Sequence, residues 1–142
     1  MTRPQNIVAS AVRSKILSGI NSPFGRPTDI IGFQELGSLI ADEICSIIGE
    51  KEICFFDEHV KSDEKYHYLD FSDMLEKSEI MIFTTELPEK YFDTLDALNR
   101  NVKIIISSDL TKTIQALIHN GYEENLLFYY LASESENGLK SK

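Results

Sequence analysis

One stretch in the first third of the chain decides the fold: Thr28-Asp29-Ile30-Ile31-Gly32-Phe33-Gln34-Glu35-Leu36-Gly37-Ser38-Leu39-Ile40-Ala41. Its short apolar run ends at Gly32, where the chain turns, and an amphipathic helix begins near Glu35. The apolar residues after the turn recur at helical spacing and stop at Gly49. The stretch therefore predicts a buried strand, a tight turn and a helix.

The glycines of this turn follow most of a known pattern. Gly32 and Gly37 occupy the first and third glycine positions of G-x-G-x-x-G, and Gln34 replaces the middle glycine. In a dinucleotide site the first glycine permits the turn, the second admits the pyrophosphate, and the third lets the helix pack on the strand. Asp57 closes the next predicted strand, where such sites hold the ribose hydroxyls with an acid. Three of the four parts of a Rossmann nucleotide site are thus present.

The residues at positions 34 and 35 predict that this site is damaged or reassigned. The Gln34 side chain would occupy the space of the phosphates, and Glu35 puts a carboxylate where the helix dipole would receive them. The repulsion between the Glu35 carboxylate and one phosphate charge is about 1 kcal/mol at 4 Å in water and larger when partly desolvated. The segment Thr84-Thr85-Glu86 lies at the carboxyl end of a later strand and is a candidate pocket lining. Three interpretations stay open: a turn that binds nothing, retained nucleotide binding, or another small ligand.

The remainder of the chain alternates apolar strands with helices. Strands are predicted at 30–31, 52–57, 80–84, 102–106 and 126–131, and helices at 6–19, 35–48, 71–77, from Pro88 onward, and 111–120. Strands that are apolar throughout favour a parallel sheet covered on both faces, and right-handed crossovers favour the order 3-2-1-4-5. The prediction is a single Rossmann-like, three-layer α/β domain with a mostly parallel five-stranded sheet and an extra N-terminal helix.

We divide the chain into an N-terminal helix and linker (1–28), the Rossmann-like domain (29–132) and a flexible tail (133–142). The last predicted strand, 126–131, would be an edge that needs pairing or a cover. The N-terminal helix could cover it, either within the chain or across a dimer.

Composition excludes several classes of partner. The 142 residues carry a formal net charge of −9, which argues against nucleic acid and anionic membranes. No apolar run reaches the ~20 residues of a membrane span, and no secretory signal is visible, so we expect a cytoplasmic protein. Cys45 and Cys54 are expected to be reduced and buried. The histidines and cysteines show no ligand spacing, so no metal is predicted.

With these elements placed, the chain from about Asp29 to Leu131 resembles the NAD-binding domain of the D-isomer-specific 2-hydroxyacid dehydrogenases. The resemblance implies a Rossmann fold and makes NAD or NADP the candidate cofactor. The residues that carry it are 31–37, Asp57, 71–82, Leu87-Pro88 and 104–109.

The same family pattern argues against catalysis. The family's active site needs an arginine just after the fourth strand, then a glutamate and a histidine. This chain has no arginine after Arg100 and no histidine after His119, and Asp109 lies near the place of the arginine. A carboxylate there reverses the charge that orients a substrate carboxylate. We therefore expect no catalytic residue.

Two functions are predicted. The first is a single-domain binding or interaction module, catalytically inactive alone, without a required cofactor, that forms a homo-oligomer. The alternative is an NAD(P)- or nucleotide-binding enzyme or sensor with a variant glycine-rich turn. Its cofactor or small-molecule site would use these residues: Gly32, Gln34, Gly37, Asp57 and Thr84.

Overall fold

The turn at Gly32 joins a central strand to a long helix in the computed structural model of the protein, which describes residues 4–130 and 139–141. Residues 128–130 and 139–141 are described by their backbone alone. The strands are β1 (Thr28–Ile31), β2 (Ile53–Phe56), β3 (His67–Tyr68), β4 (Ile80–Phe83), β5 (Lys103–Ile106), β6 (Leu126–Tyr130) and β7 (Leu139–Ser141). The α-helices are α1 (Gln5–Gly19), α2 (Glu35–Ile48), α3 (Phe71–Met74) and α4 (Thr111–His119). Short 3-10 helices cover Glu50–Glu52, Glu89–Ala97 and Glu123–Asn125.

These strands form one sheet in the order β3-β2-β1-β4-β5-β6-β7. Neighbouring strands are parallel, except that β7 runs antiparallel to β6. The predicted fold is confirmed: a Rossmann-like α/β domain with strand order 3-2-1-4-5 and an extra N-terminal helix. The described sheet has seven strands, two more than the five predicted.

The strand in third place differs from the predicted one. The segment predicted as the third strand is β4, which pairs with β1 on the side opposite β2. The place beside β2 belongs to β3, which follows a polar loop and pairs through His67 and Tyr68. Two residues are too few to show the alternation that identifies a strand, so the sequence pattern does not reveal it.

Each face of the sheet has its own core. Because side chains alternate across a strand, Ile30, Phe55 and Ile82 point to the face covered by α1 and α2. Their neighbours Ile31 and Phe56 point to the other face. That second face is covered by α3, α4 and the 3-10 helix Glu89–Ala97. Burial of one such side chain contributes about 1.5–3 kcal/mol, and this explains why the central strands are largely apolar.

The N-terminal helix covers the sheet within the chain. Residues Val12 and Ile16 of α1 are fully buried in the same core as Ile40 and Ile44 of α2. At its end, α1 lies so close to β6 that a Cβ on Gly19 would stand 2.9 Å from Leu127 Cδ1. The far edge of β6 is paired by β7, so both kinds of protection for this strand come from the same chain.

Part of the predicted flexible tail, 133–142, belongs to β7, and its other residues lie outside the described part of the chain. The predicted domain boundaries stay predictions. Among the residues that the structure does describe, no helix combines the length and apolar character required to cross a bilayer. Cys45 and Cys54 are free thiols, and both are half-buried instead of fully buried.

Candidate functional site

The turn after β1 is held by contacts that leave no room for side chains. Gly32 has a φ of +90°, and its amide donates a hydrogen bond to the Phe56 carbonyl at 2.8 Å. A Cβ at Gly32 would lie 2.4 Å from Thr84 Oγ1 and 2.5 Å from Thr85 Oγ1. A Cβ at Gly37 would lie 2.1 Å from the Gly32 carbonyl oxygen. Both glycines are therefore required by close packing, with or without a ligand.

Thr84 faces the turn and not the solvent. Its hydroxyl lies 2.9 Å from the Ile31 carbonyl oxygen and 2.8 Å from the Gly32 carbonyl oxygen, and it donates to them. The residue is buried, so its polar group is already used to tie the end of β4 to the end of β1. Its neighbour Thr85, which is exposed, is the threonine that lines the nearby cleft.

Asp57 also serves the backbone. Its Oδ2 accepts a hydrogen bond from the Phe33 amide at 2.7 Å. Its Oδ1 accepts from the amides of His59, at 2.8 Å, and Val60, at 2.9 Å. A carboxylate offers about four acceptor positions, so these bonds leave room for about one more. Burial raises the pKa of Asp57, but the three backbone donors outweigh it and hold the pKa below its ordinary value.

The two residues predicted to obstruct the phosphate position lie at the start of α2. Gln34 precedes the helix, is exposed, and makes no capping hydrogen bond with its side chain. Glu35 is the acidic residue of the first turn and is also exposed. Its charge complements the positive end of the helix dipole, which a bound anion would otherwise do.

A cleft opens beside this turn, at the carboxyl ends of β1, β2 and β4. The strand order reverses direction here, and ligands of open α/β sheets bind at such switch points. The cleft has a volume of about 200 Å³ and is lined by Ile31, Gly32, Gln34, Phe56, Asp57, Glu58, His59, Thr85, Glu86 and Pro88. Three of the five predicted site residues line it, whereas Gly37 and Thr84 shape the turn from behind.

Glu86 belongs to the predicted lining segment Thr84-Thr85-Glu86, but the sequence does not reveal that it caps α4. Its Oε1 accepts hydrogen bonds from the Thr113 amide at 2.8 Å and the Thr113 hydroxyl at 2.6 Å, and its Oε2 lies 3.3 Å from the Lys112 amide. Glu86 thus caps α4 from another loop, since the residue before that helix, Leu110, has no capping group. A helix start without its own cap is the one sequence signal for such a partner.

The cleft is acidic. Asp57, Glu58 and Glu86 contribute carboxylates, His59 contributes an imidazole, and no lysine or arginine of the described residues lines it. Asp109 follows β5 and accepts a hydrogen bond from the Thr111 hydroxyl at 3.2 Å, outside this lining. Within the described residues, no cluster of three or more histidine, cysteine or acidic side chains is placed to hold a metal ion.

Comparison with known proteins agrees with the fold. No protein-family model matches the chain. No curated protein matches its sequence. The NAD-dependent formate dehydrogenase of Staphylococcus aureus, solved in complex with NAD, matches with a TM-score of 0.64 and 12% identity over 88% of this chain and 47% of that one.

Two further solved structures give similar values. D-lactate dehydrogenase of Escherichia coli matches with a TM-score of 0.63 and 12% identity over 84% of this chain and 49% of that one. A probable 2-hydroxyacid dehydrogenase of Rhizobium etli, in complex with NADP, matches with a TM-score of 0.60 and 12% identity over 85% of this chain and 50% of that one. The chain spans about half the length of these structures, and its predicted resemblance to the NAD-binding domain of this dehydrogenase family is confirmed in the fold.

Proposed function

We propose that this chain is a Rossmann-like binding module that takes a small ligand in the cleft beside Gly32 and does not catalyse hydride transfer alone. The observation that carries the proposal is the cleft itself, which lies at the switch point of the sheet between Gly32, Asp57 and Thr85. Its walls are fixed by backbone hydrogen bonds to Asp57 and by the close packing of Gly32. A rigid concave site of this kind is where such a fold binds ligands.

The side chains around the cleft do not supply the chemistry of a dehydrogenase. Reduction of a 2-oxoacid requires a cation to orient the substrate carboxylate and an acid to donate a proton to the carbonyl oxygen. Among the lining residues that the structure describes, His59 supplies an imidazole and the other ionisable groups are carboxylates. Asp109 has the wrong charge for the substrate-orienting role that the family resemblance assigns to that region.

The test combines binding with activity on the full chain. We expect a small ligand to shift the amide NMR signals of Gly32, Gln34 and His59 in the labelled protein. We expect no oxidation of NADH or NADPH when pyruvate or glyoxylate is added. Turnover of either 2-oxoacid above the rate without protein would overturn the non-catalytic part of the proposal.

Retained binding of NAD, NADP or another nucleotide is the second candidate. Asp57 keeps about one free acceptor position for a ribose hydroxyl. The close packing at Gly32 and Gly37 is that of an intact turn. The structures from S. aureus and R. etli hold NAD and NADP respectively, and they share the fold. Saturable heat on titration with NAD or NADP would support this candidate, and no heat at millimolar cofactor would remove it.

Self-association is part of the proposal. The outer surface of α1 exposes Ile7 and Leu17, each 49% accessible, which could pack on a second copy. We expect light scattering to give a dimer that the Ile7→Ser/Leu17→Ser variant loses. The matched control is Ile118→Ser, which removes an exposed apolar side chain from α4. A strictly monomeric protein at high concentration would contradict this part.

A further inference from the structure

We propose that the cleft beside Gly32 selects an uncharged nucleoside and rejects nucleotides that carry phosphate. The inference rests on the proposed function, because it names the ligand class of the same cleft. Three features support it: the volume of the cleft, the sign of its charges, and the hydrogen-bonding groups that remain free within it.

The cleft is too small for a dinucleotide. Its volume of about 200 Å³ lies below the range of roughly 300–1,000 Å³ typical of pockets for drug-sized ligands. A dinucleotide contains two nucleosides and a diphosphate, so it would extend well beyond these walls. Gln34 stands at the side where the diphosphate would continue toward α2. One nucleoside is the largest part of a dinucleotide that this space could take.

The charges around the cleft repel phosphate. Within 4–130 and 139–141, three carboxylates line it, from Asp57, Glu58 and Glu86, and no lysine or arginine does. The nearby helix starts do not compensate, because each already has an acidic partner. Glu35 lies in the first turn of α2, and Glu86 accepts hydrogen bonds from the first turn of α4. The positive ends of these two helices are therefore already matched by carboxylates.

The free hydrogen-bonding groups suit hydroxyl and amino donors. Asp57 keeps about one acceptor position after its three backbone bonds. Glu58, which lines the cleft and is exposed, adds a carboxylate, and the Gln34 amide adds both donors and an acceptor. Ribose hydroxyls and base amino groups donate to such acceptors, whereas phosphate oxygens only add further acceptors.

The experiment compares three probes on the full chain by titration calorimetry at one ionic strength: adenosine, AMP and NAD. We expect adenosine to bind at least tenfold more tightly than either AMP or NAD. We also expect added salt to narrow that gap, since screening weakens repulsion between exposed charges. Amide NMR signals of Gly32, Gln34 and His59 should move with adenosine, which places it in the cleft.

A variant that removes a negative charge distinguishes the effect of charge repulsion on AMP from the effect of ligand size. In Glu35→Gln we expect AMP to gain at least threefold in affinity while adenosine changes little, because only AMP carries the charge and Glu35 lies outside the cleft lining. The matched control is Glu43→Gln, which removes an exposed carboxylate elsewhere on α2. The control should leave the ratio of the two affinities unchanged.

The outcomes separate this inference from the proposed function. If AMP or NAD binds the unaltered chain as tightly as adenosine does, the selectivity is overturned and the binding module survives. If the gap closes equally in the control variant, the local carboxylates are not its cause and the inference is overturned as well. If none of the three probes binds, the nucleoside inference fails. The proposed function then fails too, unless another small ligand shifts the same amide signals.

Discussion

Two buried aspartates lie toward opposite ends of the strands, and their pKa values are shifted in opposite directions. Asp57, at the carboxyl edge, accepts three backbone hydrogen bonds, and these hold its pKa below the ordinary value despite burial. Asp29, in β1 near the amino edge, interacts with the Ser78 hydroxyl, and burial raises its pKa to about 7. The exposed fractions are alike, 4% and 5%. Asp29 is nevertheless packed more deeply, so depth and donated hydrogen bonds together decide which carboxyl stays charged.

The aspartates at the carboxyl edge and at the amino edge have different structural roles. At the carboxyl edge, a stable negative charge joins the turn at Phe33 to the loop after β2. At the amino edge, Asp29 lies opposite Cys54 in the register of β1 and β2, and no such set of backbone donors is directed at it. The first carboxylate builds the cleft, whereas the second is a titrating group inside the core.

The largest expected effect comes from removing the Asp57 carboxylate. Asp57→Ala leaves the buried Phe33 amide without its acceptor and frees the loop at His59 and Val60. Hydrogen bonds to charged groups contribute about 1.5–3 kcal/mol each and are not additive, so we expect the free energy of unfolding in urea to fall by about 3 kcal/mol. Asp57→Asn, which keeps one acceptor oxygen, should lose less. Equal losses would show that the carboxylate is not the anchor.

Stability at acid pH tests the same carboxylate. Because the folded state lowers the pKa of Asp57, its contribution is present above the unfolded value of 3.8 and is lost as pH falls through the folded value. Urea unfolding of the unaltered chain and of Asp57→Asn should therefore converge as the pH falls below that value. A difference that persists unchanged at low pH would contradict the assignment.

Asp29 should give the opposite pH dependence, with the next largest effect. Its folded pKa of about 7 lies above the unfolded value of 3.8, so its contribution is complete below pH 3.8 and is lost as pH rises through about 7. We expect Asp29→Asn to gain stability relative to the unaltered chain as the pH rises, by about 2–3 kcal/mol between pH 5 and pH 8.5. Urea unfolding at both pH values measures this. A variant that is less stable at both pH values would show that the Asp29 carboxyl makes a hydrogen bond that the asparagine amide cannot replace.

The smallest expected effect concerns the thiol across from Asp29. Burial, followed by the charges of Asp29 and Glu52, raises the pKa of Cys54 to about 11. We expect alkylation of Cys54 by iodoacetamide at pH 8.5 to be slow and to accelerate severalfold in Asp29→Asn, because one repelling charge is gone. Mass spectrometry of the modified peptide gives the rate. Glu35→Gln, far from the amino edge, is the control and should not change it.

The sequence predicted the elements better than it predicted the hydrogen bonds between them. The strand, turn and helix around Gly32 were visible in apolar spacing and glycine positions, and the structure confirms that fold. The short helix at 71 shows the limit. Asp70 and Ser72 both have side chains that can cap a helix, and Asp70 holds the N-cap position and accepts from the Ser72 amide. Neighbouring residues of similar capping ability cannot be ranked without the backbone geometry.

The cleft shows the same limit at longer range. Thr84 and Asp57 were expected to face a ligand, and the structure shows that their polar groups also hold the backbone together. Glu86 was a candidate lining residue, but its capping of α4 from a separate loop was not visible in the sequence. Whether these residues also bind a ligand stays a prediction, which the titrations described above address.

By itself, the sequence determined the alternation of strands and helices, the acidic charge, and the place of the turn between two required glycines. These features depend on local periodicity and composition, which a linear pattern contains. Only the tertiary structure decided which carboxylate meets which amide: Asp57 reaches Phe33 across 24 residues, and Glu86 reaches Thr113 across 27. A hydrogen bond forms only within about 3 Å and along a set direction. Partners so distant in the chain are therefore chosen by the packing of the sheet and its helices.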